Sequence, residues 1–264
     1  MLGNGPSSSP SNTPPPYDRA RFPHVTVLDN VDAQHRFVTE RFGIERLVAV
    51  TGWSMGAGQT YQWAVSYPEM VPRILPFCGS ARTSPHNVVF LEGVKAALTA
   101  DAAWNHGWYE TRPTRGLRAA ARVYAGWGFS QAFYRDSAYS ELGQSSLEDF
   151  LVPVLGGLFP RQSRRQQFAH ETLDVAARRH RPDPGLRRLA RARARLHRGQ
   201  GHPHARREGP LLSARAQRVG GATHAERGAA RDPPACGGHF AGGGANPVDT
   251  RSINEALKDL LASS

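Results

Sequence analysis

The chain has 264 residues, with 33 Lys plus Arg against 22 Asp plus Glu and a formal charge of +11; only Lys95 and Lys258 are lysines, so the basic residues are almost all arginine. Two cysteines, Cys78 and Cys236, are too few for a disulfide framework and do not match a zinc-ribbon spacing. No apolar run reaches the roughly 18 residues of a membrane-spanning helix, so a helical membrane protein, a collagen-like fibre and a disulfide-stapled secreted domain are excluded.

The N-terminal stretch MLGNGPSSSPSNTPPPYD lacks the basic and then apolar order of a secretory signal, and a cytoplasmic location is the expectation. Beyond it, strand and helix signals alternate. HVTVLDN (24–30) reads as a short β-branched strand and DAQHRFVTERFGI (32–44) as a helix. RLVAV (46–50) is an apolar run of the kind buried in a parallel sheet. MGAGQTYQWAVSYP (55–68) reads as a helix stopped by Pro68, VPRILPFCGSA (71–81) opens with another strand, and NVVFLEGVKAALTAD (87–101) is a helix. This order predicts an α/β protein with a mostly parallel sheet. GLRAAARVYAGWGFSQAFYR (116–135) reads as one aromatic-rich helix, more like a cap than a sheet unit. The chain closes on a Gly-rich loop and a helix with Ile253, Ala256, Leu257, Leu260 and Leu261 at helical spacing.

The chemistry concentrates at Gly52-Trp53-Ser54-Met55-Gly56, a G-x-S-x-G between a predicted strand and a predicted helix. A nucleophile elbow holds its serine in a strained turn there, with Gly52 and Gly56 leaving room for the tight approach. Ser54 Oγ would project above the sheet, and the Met55 N–H, at the helix N-terminus, would face a developing oxyanion. The alternative is a serine that merely makes a turn between glycines. The base could come from His24, His35, His86, His106 or His239; only His239, in GGHFAGGG before the last helix, sits where a chain order of serine, acid, histidine would put it.

These stretches resemble the homoserine O-acetyltransferase-like branch of the α/β-hydrolase fold. The matching features are GWSMGAGQTYQWAVSYPEMV, the SARTSPHNVVFLEGVKAALTADAAWNHGWY block, the YAGWGFSQAFYR helix and the C-terminal GHFAGGGANPVDTRSINEALKDLL. LGNGPSSSPSNTPPP looks like the loop that precedes the strand before the elbow helix. The resemblance implies a cytoplasmic enzyme of methionine biosynthesis working through an acyl-serine. Ser54 would attack acetyl-CoA or a related thioester. The acyl group would then pass to a hydroxyl such as that of homoserine, with His239 as base and then acid. Acyl-CoA is then a co-substrate, with no bound cofactor and no metal; the partners are small-molecule substrates, with a homodimer as the candidate assembly and no membrane. A serine hydrolase of the same fold, esterase-like, is the alternative, because an elbow does not distinguish water from a hydroxyl acceptor.

The resemblance implies about a hundred residues, several strands among them, before the elbow, whereas Ser54 follows only 53 here. The expectation is therefore an N-terminal truncation, with Met1 an internal methionine and the loop giving the second oxyanion N–H missing. Residues 161–236 depart further. They hold 18 arginines, six acids and a single Phe, and no Ile, Met, Trp, Tyr, Asn or Lys. Such a composition cannot offset its ordering entropy by burial, and the segment is expected to be disordered. Arg-, Ala-, Gly- and Pro-rich sequence of this kind is what a GC-rich gene yields out of frame. Codons can be chosen for 164–180 and 205–218 whose shifted frame reads DANNLLTKLWTWQHAD and PGEKDLYFPPEHN, which look like the family's cap segment and its aspartate loop. The expectation is a frameshift from about 160 to 236, between a hydrolase core over 1–159 and the catalytic-histidine loop and last helix over 237–264. The triad acid would then be unread at Gly209 and Pro210, the in-frame acids Glu208 and Asp232 read as solvated surface charges, and the activity of the chain as written is expected to be impaired or lost. The rival reading of this segment is a non-catalytic basic protein binding nucleic acid nonspecifically through runs such as RRLARARARLHR (187–198). Metal binding by His202, His204, Cys236 and His239 matches no standard ligand spacing.

Overall fold

The computed structural model describes residues 2–3, 7–151, 211–212, 238–244 and 246–262. They divide between two compact units, one from 1–25 and 84–180, the other from 26–83 and 181–264. The stretch 1–159, read from sequence as the core with its elbow and the start of a cap, contributes to both.

The second unit holds the sheet. It begins with α1 (Val27–Arg36), where a strand was expected over 24–30. The correction has a local cause. The Thr26 hydroxyl accepts the Asp29 N–H at 3.1 Å, and the Asp29 carboxylate accepts the Thr26 N–H at 2.6 Å. This reciprocal capping box starts a helix inside a β-branched run too short to outweigh it. A five-residue π-helical turn, Phe37–Arg41, follows. Then come β1 (Val50–Trp53), α2 (Met55–Ser66) and β2 (Arg73–Phe77). β1 and β2 pair in parallel from Val50↔Ile74 to Trp53↔Phe77. The hydrogen-bonded strand therefore starts where the run predicted over 46–50 ends; before it, Leu47 N–H donates to the Met70 carbonyl at 2.9 Å.

Successive β2 side chains point to opposite faces of the sheet. Ile74 packs in a core with Val31 of α1, Trp63 and Ala64 of α2, and Met70 and Val71 of the connection between α2 and β2. Leu75 packs in a second core with Ala256 and Leu260 of the last helix, α6 (Pro247–Ala262). The sheet is thus covered on both faces, as the apolar character of β2 requires.

The far side of β2 carries β3 (Leu211–Leu212), parallel, with Arg73↔Leu211 and Ile74↔Leu212. This corrects the expectation of disorder at those two residues. The rest of the Arg-rich segment, where a frameshift is expected, and with it Glu208, Asp232, His202, His204 and Cys236, lies outside the described residues.

The first unit is helical. Between its helices α3 (Pro85–Thr99) and α4 (Thr114–Gly128), Val94, Leu98, Leu117, Ala120 and Ala121 form the core. The Ser84 hydroxyl accepts the Asn87 N–H and, with Pro at N1, starts α3 two residues before the predicted 87. Asp101, just past the end of α3, accepts the Gly116 N–H at 2.9 Å and so caps α4 from its neighbour. The helix predicted over 116–135 is broken. Phe129 and Ser130 are extended, and the Ser130 hydroxyl accepts the Phe133 N–H at 3.0 Å to open α5 (Gln131–Arg135). Among the described residues no helix is long and apolar enough to cross a membrane.

Candidate active site

Ser54 is the turn between β1 and α2. Its backbone lies at φ 57°, ψ −116°, a conformation glycine adopts freely and other residues only under constraint. The constraint is visible. Ser54 N–H donates to the Phe77 carbonyl at 3.1 Å, and the Ala57 N–H donates to the Ser54 carbonyl at 3.0 Å. A Cβ on Gly52 would fall onto the Gly56 carbonyl and, at 2.6 Å, onto the Thr60 hydroxyl. Gly52 is therefore needed so that α2 can start hard against β1.

Gly56 is different. A Cβ there would meet nothing within 4 Å among the described residues. The expectation that both flanking glycines make room is corrected: what crowds Gly52 is the backbone of residue 56. The second glycine the turn requires is Gly79, whose Cβ would meet the Ser54 carbonyl at 2.5 Å and Ala57 Cβ at 2.7 Å. Beside it, Cys78 also has a left-handed backbone, φ 49°. Neither carries a local signal in the sequence, because the crowding comes from a turn 25 residues earlier.

His239 lies on a short 3-10 helix, Gly238–Gly243, ahead of α6. Its Nε2 is 2.9 Å from Ser54 Oγ. Burial pushes the imidazole down to about 4, so the ring is neutral at pH 7. Protonated at Nδ1, a neutral ring offers Nε2 as acceptor for the Ser54 hydroxyl proton, the polarity a general base needs. Of the other histidines weighed from sequence, His35 stacks on Tyr67 at 3.8 Å, and His24, His86 and His106 belong to the helical unit.

Met55 is the first residue of α2. Its N–H is among those that begin a helix without an intrahelical acceptor, at the positive end of the helix dipole. The sequence missed Trp53. Its indole N–H donates to the His239 carbonyl at 2.8 Å, and its ring fills the space a Cβ on Gly242 would need. The glycine run around His239 was the available hint that something approaches that loop closely. Among the described residues no group of three or more His, Cys, Asp or Glu could hold a metal ion.

No protein-family model matches the chain. It is 39% identical over 162 residues to a probable esterase of Corynebacterium glutamicum, covering 60% of this chain and 46% of that protein. It is 41% identical over 153 residues to an ethyl acetate hydrolase of Pseudomonas veronii, covering 57% and 44%. Against a homoserine O-acetyltransferase of Rhodospirillum rubrum it is 48% identical over 107 residues, 39% of this chain and 27% of that one. The matched part thus amounts to less than half of each relative's length. Among solved structures, the acetyl esterase MekB superposes with a TM-score of 0.71 at 28% identity, over 97% of this chain and 74% of that one. An acetylester hydrolase from Corynebacterium glutamicum gives 0.68 at 27% identity, over 100% and 75%. The fold is that of the α/β-hydrolases, part of which this chain provides, and the chain is similar to both acetyl esterases and homoserine O-acetyltransferases.

Proposed function

We propose that this chain performs serine-dependent acyl chemistry on short acyl esters, with water as the acceptor. The observation that carries the reading is the 2.9 Å approach of Ser54 Oγ to Nε2 of a neutral, half-buried His239 at a strained strand-to-helix turn. Ser54 Oγ attacks the acyl carbonyl while its proton passes to His239 Nε2. The Met55 N–H, at the start of α2, donates to the oxyanion of the tetrahedral intermediate. The imidazolium returns the proton to the departing alkoxide, leaving an acyl-serine. Water, deprotonated by the same nitrogen, attacks that ester, and collapse of the second intermediate frees the acid and Ser54. The proposed substrates are small esters of acetic acid, because two of the curated proteins it resembles are esterases that align over longer stretches than the acetyltransferases do.

A second reading keeps the same acyl-serine and changes the acceptor to the hydroxyl of a small amino acid such as homoserine, with an acyl-CoA as donor. The similarity to homoserine O-acetyltransferases favours it. One experiment separates the two. The chain is given p-nitrophenyl acetate, with and without homoserine, and both acetate and O-acetylhomoserine are quantified. Acetate alone, unchanged by homoserine, supports hydrolysis; O-acetylhomoserine forming at the expense of acetate moves the assignment to transfer. Absence of turnover in a chain that binds DNA at low salt would replace both with the basic binding protein.

A further inference from the structure

We infer that Trp53 is a positioning residue, the tether that holds the His239 loop over Ser54; the inference rests on the acyl-serine reading and names the part of that site that sets its geometry. The loop needs a tether. Five of the eight residues 237–244 are glycine, the residue that loses most conformational freedom on ordering. The catalytic approach nevertheless demands that one imidazole nitrogen sit within hydrogen-bond reach of Ser54 Oγ.

Trp53 meets that need in two ways. Its indole N–H, which can only donate, reaches the carbonyl of His239 itself at 2.8 Å. Its ring lies against Gly242, where a Cβ would be 2.6 Å from Cγ and 2.7 Å from Nε1. The 3-10 helix is therefore gripped at residues 239 and 242, on either side of one turn. The grip comes from the residue directly before the nucleophile, so a single side chain links the backbone of Ser54 to that of its base. The rings of His239 and Phe240 complete the contact at 5.8 Å and 6.4 Å from the indole. The geometry also explains Gly242: any side chain there would displace the indole and, with it, the His239 carbonyl.

The groups that face His239 include the Ser54 hydroxyl, the Trp53 and Phe240 rings and, through the Gly238 carbonyl that accepts from it, the Cys78 thiol at 3.9 Å. Releasing the tether lets the half-buried imidazole move further toward water. Two consequences are then coupled: the Ser54–His239 pair is populated less, and the imidazole drifts from about 4 back toward its ordinary 6.5.

The test uses the full chain and a fluorophosphonate probe that labels activated serines, with rate constants measured across the acid range. Two variants are compared with wild type: Trp53→Phe, and Trp53 replaced by 3-benzothienylalanine, which keeps the bicyclic shape and has sulfur where the N–H was. Both variants are expected to label roughly tenfold or more slowly, since small misplacements of a catalytic pair carry such losses. Their acid limb should also move up from about 4. If Trp53→Phe fails to fold, the isostere decides. An isostere with wild-type rate and wild-type acid limb overturns the tether. Labelling that persists in Ser54→Ala overturns the acyl-serine reading beneath it, whatever the Trp53 variants do.

Discussion

At the Ser54 turn a Cβ on Gly52 would collide with the Gly56 carbonyl and the Thr60 hydroxyl, whereas on α3, facing α4, a Cβ on Gly93 would meet Val123 at an ordinary 3.7 Å. The helix pair is held by many interchangeable contacts: small residues Ala120 and Ala121 at the seam, and Phe90 stacked on Trp127 at 4.3 Å. The turn is held by a few that cannot be exchanged, and two non-glycine residues, Ser54 and Cys78, bear positive φ there. Strain of this kind persists only where its surroundings over-determine it, which is why it marks the site.

Substitutions at matched glycines break this comparison most sharply. Gly52→Ala should cost about 3 kcal/mol or more, because the atoms in the way are backbone and cannot swing aside. Chemical denaturation would show the loss as a lowered midpoint; an unchanged midpoint would mean that α2 starts less tightly against β1 than described.

The next effect is pH dependence. The folded His239 sits near 4, below its ordinary 6.5, so between those values the unfolded chain binds the extra proton. Stability is then complete above 6.5 and declines as pH falls through about 4, and serine reactivity should follow the same acid limb. Denaturation midpoints across that range, repeated on His239→Gln, should show a slope that the variant loses.

Smaller still, Ser54→Gly should be about 1 kcal/mol more stable than Ser54→Ala, since glycine accepts the φ 57°, ψ −116° backbone at no steric cost. Thermal melts of the pair report it. Least of all, Gly93→Ala and Gly56→Ala should each be neutral or raise stability by up to about 1 kcal/mol, because both glycines lie in helices with space for a methyl group. A large loss at Gly56 would restore it as a steric requirement of the elbow.

The same contrast governs what the sequence disclosed. Ser54 and the α2 that follows it were legible because Gly52, the serine and the helix start adjoin in sequence, although the Phe77 carbonyl and Gly79 complete the turn from 23 and 25 residues away. His239 was legible from chain order. α3 and α6 were legible from apolar periodicity, which many residues vote on together. What escaped depends on partners distant in sequence or on single hydrogen bonds. Gly79 is fixed by Ser54 and Trp53 by His239, 186 residues away, so no local pattern encodes either role. The Thr26–Asp29 box turned a β-branched run into α1, and the Ser130 cap split one predicted helix into two. Both are local signals of a few atoms that periodicity does not weigh. The Arg-rich composition of 161–236 hid β3, whose two leucines find their place beside β2 only in the assembled sheet.

The most direct test of the central claim is site-mapped fluorophosphonate labelling of wild type, Ser54→Ala and His239→Ala, read by intact mass and peptide mapping. One adduct per chain is expected, on Ser54, absent in Ser54→Ala and formed about 10³-fold or more slowly in His239→Ala. An adduct on another residue, or undiminished labelling without the imidazole, would contradict it.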